Sequence, residues 1–278
     1  MKDLIQNIAK RHGIGILQEI FEIHGGDSNL CFKSIISGKA YFVKINSEVA
    51  SDFYDKEYRG LIKIANFVHV PKVYGYGENY LLQEFIEFDN FDRAGNINAA
   101  HQLAKLHSCK SDDFGWIHNN YLGKMFQPNA LYKDPSAFYL GARLKPLVDE
   151  AVAKGLLSRE DEGKMEKLFK KIPEILPKEK ASLVHGDLWA GNIGQSQDKV
   201  YFFDPSIHFG FREADLAMTR LFGGFSPSFY SEYNNLAPLL KGWEQRVYFF
   251  QIYPLLVHLH LFGKSYYTKL MQAVSAYL

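Results

Sequence analysis

Three oxygen-bearing side chains lie close together in the segment "LVHGDLWAGNIGQSQDKVYFFDPS", residues 183–206. Asp187 and Asn192 are separated by four residues in a glycine-containing loop, and Asp204 directly follows the apolar run "VYFF". An aspartate can accept or orient the proton of an attacking hydroxyl group, while an amide oxygen and a second carboxylate suit Mg²⁺. Any one of these residues alone could simply stabilise a turn. Together they match the pattern H-x-D-L-x-x-x-N followed by a strand and an Asp, which predicts a phosphoryl-transfer site.

A lysine and a glutamate upstream could complete such a site. Lys44 lies in the strand-like run "AYFVKIN", where it is either an exposed edge residue or the lysine that meets the α- and β-phosphates. Glu57 falls on the apolar face of the next predicted helix, where a carboxylate is costly unless it is paired. Glu48 is the competing acidic residue. We predict that Lys44 pairs with Glu57.

The elements that would position these residues divide the chain into a strand-rich first third and a helical remainder. The first 20 residues are predicted as a helix with a loose start, and the run 16–46 as three strands joined by glycine turns. A helix over 47–65 and strands over 68–88 follow. We therefore predict an α+β, bilobal fold with a boundary near residues 86–92: an N-terminal lobe (1–87) with an antiparallel sheet plus a helix, and a mainly helical C-terminal lobe (88–278).

Composition excludes several classes of function. The chain has 278 residues, 32 Lys plus Arg and 31 Asp plus Glu, so it lacks the basic footprint of a nucleic-acid or membrane-surface binder. The most apolar run, residues 247–262, is shorter than the roughly 20 residues of a membrane span and is predicted as a buried helix. Two cysteines, Cys31 and Cys109, are too few for a disulfide scaffold. The start lacks the apolar core of a signal peptide, and a cytoplasmic protein is predicted.

Several segments resemble the fructosamine kinase family. These are "LVHGDLWAGNIG", "FFDPS", "GFREADLAMTRLFGGFSPSFY" and "YPLLVHLHLFG", with "VPKVYGYG", "YLLQEFIE" and "FGW…NYLG…QPN" at 114–129 extending the similarity over almost the whole chain. The family comprises ketosamine 3-kinases, which are related to aminoglycoside and choline kinases within the protein-kinase-like fold. The catalytic loop is shared by all these small-molecule kinases, whereas "READLAM", "FGGFSP" and the tail are specific to the fructosamine kinases.

The resemblance implies ATP-dependent phosphorylation of the 3-hydroxyl group of ketosamines, the adducts of sugars with amines. Phosphorylation destabilises the adduct and regenerates the amine. ATP and Mg²⁺ are the implied cofactors, and ketosamine small molecules or glycated protein amines the implied partners, with monomer and dimer both open. Asp187 would be the catalytic base, and Asn192 and Asp204 the Mg²⁺ ligands. The implied nucleotide-binding residues are Gly25, Gly26, Ser28 and Asn29 over the phosphates, the pair Lys44 and Glu57, and Gln83, Glu84 and Phe85 as the hinge at the adenine.

Three departures from protein kinases are visible. Gly186 stands where protein kinases have an arginine, "DPS" replaces the D-F-G triplet, and Asp215 follows Asp204 after only 11 positions. The short spacing between Asp204 and Asp215 leaves no room for a long peptide-binding activation segment. The absence of the arginine argues against control by phosphorylation of such a segment. A small or exposed acceptor group is predicted.

Two aromatic side chains near the loop have open interpretations. Trp189 either pins the catalytic loop as a core aromatic or offers its indole face to a cationic amine. His258, on an apolar helix, is either a core histidine or a substrate contact. Cys31 is interpreted as a buried strand thiol.

The charged residues after the second aspartate have supporting roles in the prediction. Asp215 is expected to brace the catalytic loop through backbone hydrogen bonds, and His185 to support the same loop. One of Arg212 and Glu213 is a candidate to face the substrate.

Three other functions stay open. The protein could phosphorylate an aminoglycoside, a choline-type alcohol or another sugar. It could be a nucleotide-binding regulator without turnover, although the complete set of Lys44, Asp187, Asn192 and Asp204 argues against that. A protein kinase is disfavoured by the short segment after Asp204.

Overall fold

A five-stranded antiparallel sheet forms the N-terminal lobe. The structure, a computed structural model, describes residues 1–23 and 29–278. The strand order is β1-β2-β3-β5-β4. The strands are β1 (Leu17–Ile23), β2 (Leu30–Ile36), β3 (Lys39–Ile45), β4 (Val73–Gly77) and β5 (Tyr80–Glu84).

The first helix, α1 (Lys2–Arg11), is shorter than predicted. Gly13 and Gly15 both have positive φ angles, of 64° and 114°, and a Cβ on Gly15 would overlap the side chain of Ser37. These glycines end the helix, so the prediction of helix up to residue 20 is wrong, and Leu17 begins a strand.

Helix α2 (Phe53–Ile64) packs on this lobe through the predicted face. Phe53, Leu61 and Ile64 are buried there, and so is Glu57, at 8% exposure. A carboxylate held this far from water requires a cationic partner.

The C-terminal lobe is mainly helical, which confirms the α+β architecture. Its helices are α3 (Arg93–His107), α4 (Pro135–Phe138), α5 (Lys145–Ala153), α6 (Arg159–Ile175), α7 (Arg212–Leu221), α8 (Pro227–Leu236), α9 (Trp243–Phe262) and α10 (Tyr267–Ser275). The predicted helix at 247–262 lies within α9, whose Phe249, Ile252, Leu256 and Leu259 are fully buried. Residues 85–92 connect strand β5 of the N-terminal lobe to helix α3 of the C-terminal lobe. The lobe boundary near residues 86–92 stays a prediction. In the described part of the chain, no helix combines the length and apolar character that a membrane crossing requires.

Short strands of the C-terminal lobe position the chemistry-bearing loops. They are β6 (Lys110–Ser111), β7 (Asn120–Leu122), β8 (Met125–Gln127), β9 (Ala181–Val184), β10 (Ile193–Ser196), β11 (Lys199–Phe202) and β12 (His208–Gly210). The loop over residues 185–192, called the catalytic loop after its predicted role, follows β9. Strand β10 pairs with β11 antiparallel, with Ile193 opposite Phe202. Asn192 and Asp204 therefore flank the same end of one hairpin.

Candidate active site

Two adjoining cavities lie between the lobes. The smaller, about 210 Å³, is lined by Asp187, Trp189 and Asn192 among others. The larger, about 460 Å³, is lined by Gln83, Glu84 and Phe85 among others. Both are lined by Asn29, Lys44, Gly191 and Asp204. The cavities therefore form one cleft with the candidate phosphate-binding residues at the junction.

Lys44 and Glu57 form the predicted ion pair. Lys44 Nζ lies 3.0 Å from Glu57 Oε1 and 2.8 Å from Asp204 Oδ1. The competing residue Glu48 has a side chain that is 82% exposed and lies 3.5 Å from Lys124. Burial would lower the pKa of Lys44, but the two carboxylates outweigh burial and raise its pKa above the ordinary value. Lys44 is therefore a fixed cation.

Asp215 holds the catalytic loop through its backbone. Its carboxylate accepts hydrogen bonds from His185 N at 2.7 Å and Gly186 N at 2.9 Å. The ring of His107 contacts it at 3.0 Å through Nε2. Burial lowers the pKa of both histidines, so both rings are neutral at pH 7. His185 Nε2 donates to Phe203 O at 3.0 Å and so ties the loop to the segment that carries Asp204.

Asp187 is oriented by Asn192. The amide Nδ2 of Asn192 donates to Asp187 Oδ2 at 2.9 Å and to Asp187 O at 2.8 Å. Burial and the nearby charge of Asp204 raise the pKa of Asp187 to about 7. A carboxylate with a pKa near neutrality is suited to exchange a proton with a hydroxyl group.

Asn192 and Asp204 offer oxygen ligands to a hard cation. The side-chain nitrogen of Asn192 donates to Asp187. The side-chain oxygen Oδ1 of Asn192 is therefore left for other partners. Residues 1–23 and 29–278 contain no group of three or more His, Cys, Asp and Glu arranged to hold a metal. Two protein oxygens nevertheless fit Mg²⁺, which takes the rest of its coordination shell from phosphates and water.

Trp189 and His258 both line the smaller cavity. The indole ring lies edge-on to Phe222, with ring centroids 5.8 Å apart. His258 Nδ1 donates to Pro254 O at 2.7 Å, and its ring lies 5.2 Å from that of Phe222. The two side chains thus belong to one aromatic wall.

Neither Arg212 nor Glu213 lines the two cavities of the cleft, so the contact of one of them with substrate stays a prediction. Arg212 Nε lies 2.9 Å from Glu179 Oε2, and its other nitrogens donate to backbone carbonyls after α8. Glu213 Oε1 lies 2.6 Å from Arg246 Nη2. Both side chains are buried in ion pairs that stabilise α7 against distant segments.

Of the residues predicted to lie over the ATP phosphates, the structure describes Asn29. Gly25, Gly26 and Ser28 lie outside the described residues. Asn29 Oδ1 accepts hydrogen bonds from Asn46 Nδ2 and Tyr54 Oη, both at 3.2 Å.

Two aromatic residues to which no sequence motif assigns a role also line the larger cavity. Phe88 and Phe203 stack there with ring centroids 5.4 Å apart. Cys31 lines the same cavity, is half-buried and is a free thiol. Burial raises its pKa to about 11, so the sulfur is protonated.

The fold is that of solved kinases. The ADP-bound aminoglycoside phosphotransferase APH(2'')-Ib superposes with a TM-score of 0.65 at 15% identity, covering 99% of this chain and 97% of that one. At this identity the likeness concerns the fold alone. Two lobes around a cleft with this lysine, glutamate and aspartate arrangement define a phosphotransferase of the protein-kinase-like class.

The chain belongs to the fructosamine kinase family, because the family model described as fructosamine kinase matches residues 1–278. An Enterococcus faecium protein classed as a ketoamine kinase is 35% identical over 261 residues, covering 91% of this chain and 93% of that protein. A Vibrio cholerae protein of the same description is 30% identical, with 99% of each chain covered. A Thermobifida fusca crystal structure classed as a fructosamine-3-kinase superposes with a TM-score of 0.92 at 28% identity, covering 99% and 98% of the two chains.

Proposed function

We propose that the protein transfers the γ-phosphoryl group of ATP to the 3-hydroxyl group of a ketosamine. Free ketosamines and the glycated amines of proteins are the substrate candidates, and the phosphorylated adduct would release its amine. The observation that carries the proposal is the position of Asp187. Oriented by Asn192, it lines the smaller cavity at the point where Lys44 and Asp204 join it to the larger one.

The larger cavity is suited to the nucleotide. Its adenine would lie beside the backbone of Gln83, Glu84 and Phe85, and its phosphates would extend to Lys44. Asn29 and the preceding glycine-containing segment would cover the phosphates. A solved neighbour of the same fold is a ternary complex with streptomycin and ATP, at a TM-score of 0.67 and 15% identity.

Asn192 and Asp204 would hold Mg²⁺, which when bound would neutralise charge on the ATP phosphates. Asp187 would orient the acceptor hydroxyl and take its proton as the new oxygen–phosphorus bond forms. The bond between the γ-phosphorus and the bridging oxygen breaks, and ADP leaves. Lys44 would keep the phosphates in line with the acceptor, since the ion pair with Glu57 fixes its position.

The smaller cavity is suited to the acceptor. A ketosamine amine is cationic, and the indole face of Trp189 attracts cations. His258 extends the same wall.

We also propose that the N-terminal lobe (1–87) and the C-terminal lobe (88–278) act as one unit. We place the protein in the cytoplasm, where the thiols of Cys31 and Cys109 would stay reduced.

The test is an ADP-release assay with Mg²⁺-ATP against fructosamines, ribulosamines, aminoglycosides and choline. Turnover of a ketosamine is expected, and Asp187→Asn should reduce kcat by about 10² to 10⁴-fold while ATP still binds. Asp198→Asn, which changes an exposed aspartate in the β10–β11 turn, is the matched control and should retain full activity.

Two results would overturn the proposal. If Asp187→Asn keeps most of the activity, the assigned base is wrong. If ATP binds but no acceptor is phosphorylated, the protein is a nucleotide-binding regulator.

A further inference from the structure

The β7–β8 hairpin of the C-terminal lobe reaches helix α2 of the N-terminal lobe. Tyr121 Oη donates to Asp52 Oδ1 at 2.7 Å, and Asp52 immediately precedes α2. The Tyr121 ring also lies 5.1 Å from the ring of Phe53. Burial and the Asp52 carboxylate raise the pKa of Tyr121 to about 12, so its hydroxyl group is a permanent donor. One side chain therefore makes two contacts with the start of α2.

The base of this hairpin is fixed to the segment that follows Asp204. Asn120 Nδ2 donates to Ile207 O at 2.8 Å, and Gln127 Nε2 donates to Ser206 Oγ at 2.9 Å. Ser206 Oγ in turn donates to Tyr121 O at 2.6 Å. Asn120, Gln127 and Ser206 are all buried. Tyr121 is thus presented to α2 from a rigid support.

The position of α2 decides whether the ion pair at the cleft forms. Glu57 lies one helical turn after Phe53, and its carboxylate reaches Lys44 Nζ at 3.0 Å. Protein kinases control this pair by moving the corresponding helix. Here the contact with Tyr121 supplies a fixed support at the end of the helix nearest to Glu57.

We propose that Tyr121 is a positioning residue that holds α2, and with it Glu57, against Lys44. The inference rests on the proposed phosphotransferase activity. Tyr121 lines the smaller cavity but not the larger one, which would hold the nucleotide. We therefore expect Tyr121 to act mainly on how Lys44 aligns the phosphates for transfer, and less on the affinity for ATP.

The experiment is a double-mutant cycle of Tyr121→Phe and Asp52→Ala, with kcat and the Kd of ATP measured separately. Each single change should lower kcat by about 3- to 10-fold, as loss of a partly exposed charge-assisted hydrogen bond predicts, and change the Kd of ATP less than about twofold. Asp52→Ala also removes the ion pair of 3.4 Å between Asp52 and Lys56. The double variant should be no slower than the slower single variant, because the hydrogen bond that Tyr121→Phe removes is already lost in Asp52→Ala.

Two variants control for general effects. Asp52→Asn keeps an oxygen acceptor for Tyr121 but loses the charge, so it should lower kcat less than Asp52→Ala does. Tyr267→Phe removes a tyrosine–aspartate hydrogen bond of 3.0 Å at the remote helix α6 and should leave kcat unchanged. Additive effects in the cycle, an unchanged kcat, or an equal loss in ATP affinity would overturn the inference.

Hydrogen exchange separates this inference from the proposed function. Amides of α2 should exchange about 3- to 10-fold faster in Tyr121→Phe, while those of α7 keep their rates. A wild-type protein without turnover contradicts the proposed function, whereas unchanged exchange in α2 contradicts the role of Tyr121.

Discussion

At the scale of the residue, the backbone geometry explains why Gly186 stands where protein kinases have an arginine. Its φ angle is 83°, and a Cβ at this position would overlap the carbonyl oxygen of Ser206. Ser206 N donates to His185 O at 2.8 Å, so the catalytic loop and the segment after Asp204 lie in direct contact. No arginine fits at this position, and the loop is held by Asp215 instead of by a phosphorylated segment.

Gly186→Ala should therefore be damaging. We expect a loss of about 2 kcal/mol or more in the free energy of unfolding, from the positive φ and the overlap. A fall in kcat of about 100-fold should accompany it, because the loop that carries Asp187 must move. Denaturant unfolding and the ADP-release assay measure the two effects.

Gly155→Ala is the matched control. Gly155 also has a positive φ, of 68°, but a Cβ there meets nothing within 4 Å. This variant should lose stability alone. Wild-type kcat in Gly186→Ala would contradict the account of the loop.

Residues that act together within a short motif could be predicted from the sequence, and those with distant partners could not. Lys44 and Glu57 lie in neighbouring elements, and a buried carboxylate implied a cation nearby. Arg212 and Glu213 find their partners Glu179 and Arg246 33 residues away in opposite directions. Only the packing of α7 determines those pairs, and no local pattern reports it.

At the scale of the element, the β7–β8 hairpin joins the catalytic segments through a buried amide network. Gln127 Nε2 donates to Asn120 Oδ1 at 2.7 Å and to Ser206, and Gln127 Oε1 accepts from Tyr253 Oη at 2.8 Å. Asn129 Nδ2 also donates to Asn120 Oδ1. The segment "NYLG…QPN" could be matched to a family, but its role as a tie between elements required the structure.

Gln127→Met should loosen this tie. Methionine fills a similar volume but leaves the Tyr253 hydroxyl group without its acceptor and Ser206 Oγ without its donor. This should cost about 2 to 4 kcal/mol of unfolding free energy. The apparent affinity for Mg²⁺ should also fall, because Ser206 lies two residues from Asp204. Unfolding curves and a Mg²⁺ titration of activity measure the two effects.

Tyr253→Phe tests the cause of that loss. Added to Gln127→Met, it removes the orphaned hydroxyl group and should restore about 1 kcal/mol of stability. A double variant that is less stable than Gln127→Met would contradict the unsatisfied-hydroxyl explanation.

At the scale of the whole molecule, three histidines of the C-terminal lobe are buried at different elements. His107 lies on α3, His185 follows β9 and His208 begins β12. Burial lowers the pKa of all three, and that of His208 falls to about 3. The lobe therefore folds around neutral imidazoles.

This arrangement predicts acid sensitivity of the fold. Between pH 6.5 and about pH 3, His208 takes up a proton in the unfolded chain but not in the folded one, so its stabilising contribution is complete above pH 6.5 and is lost as the pH falls. At about 1.4 kcal/mol per pH unit, His208 should account for about 2 kcal/mol of the stability lost between pH 7 and pH 5. Urea unfolding at both pH values should show that His208→Gln reduces this loss by about that amount, whereas His69→Gln, at an exposed position, should leave it unchanged. Equal losses in wild type and His208→Gln would mean that the ring is not held neutral in the folded protein.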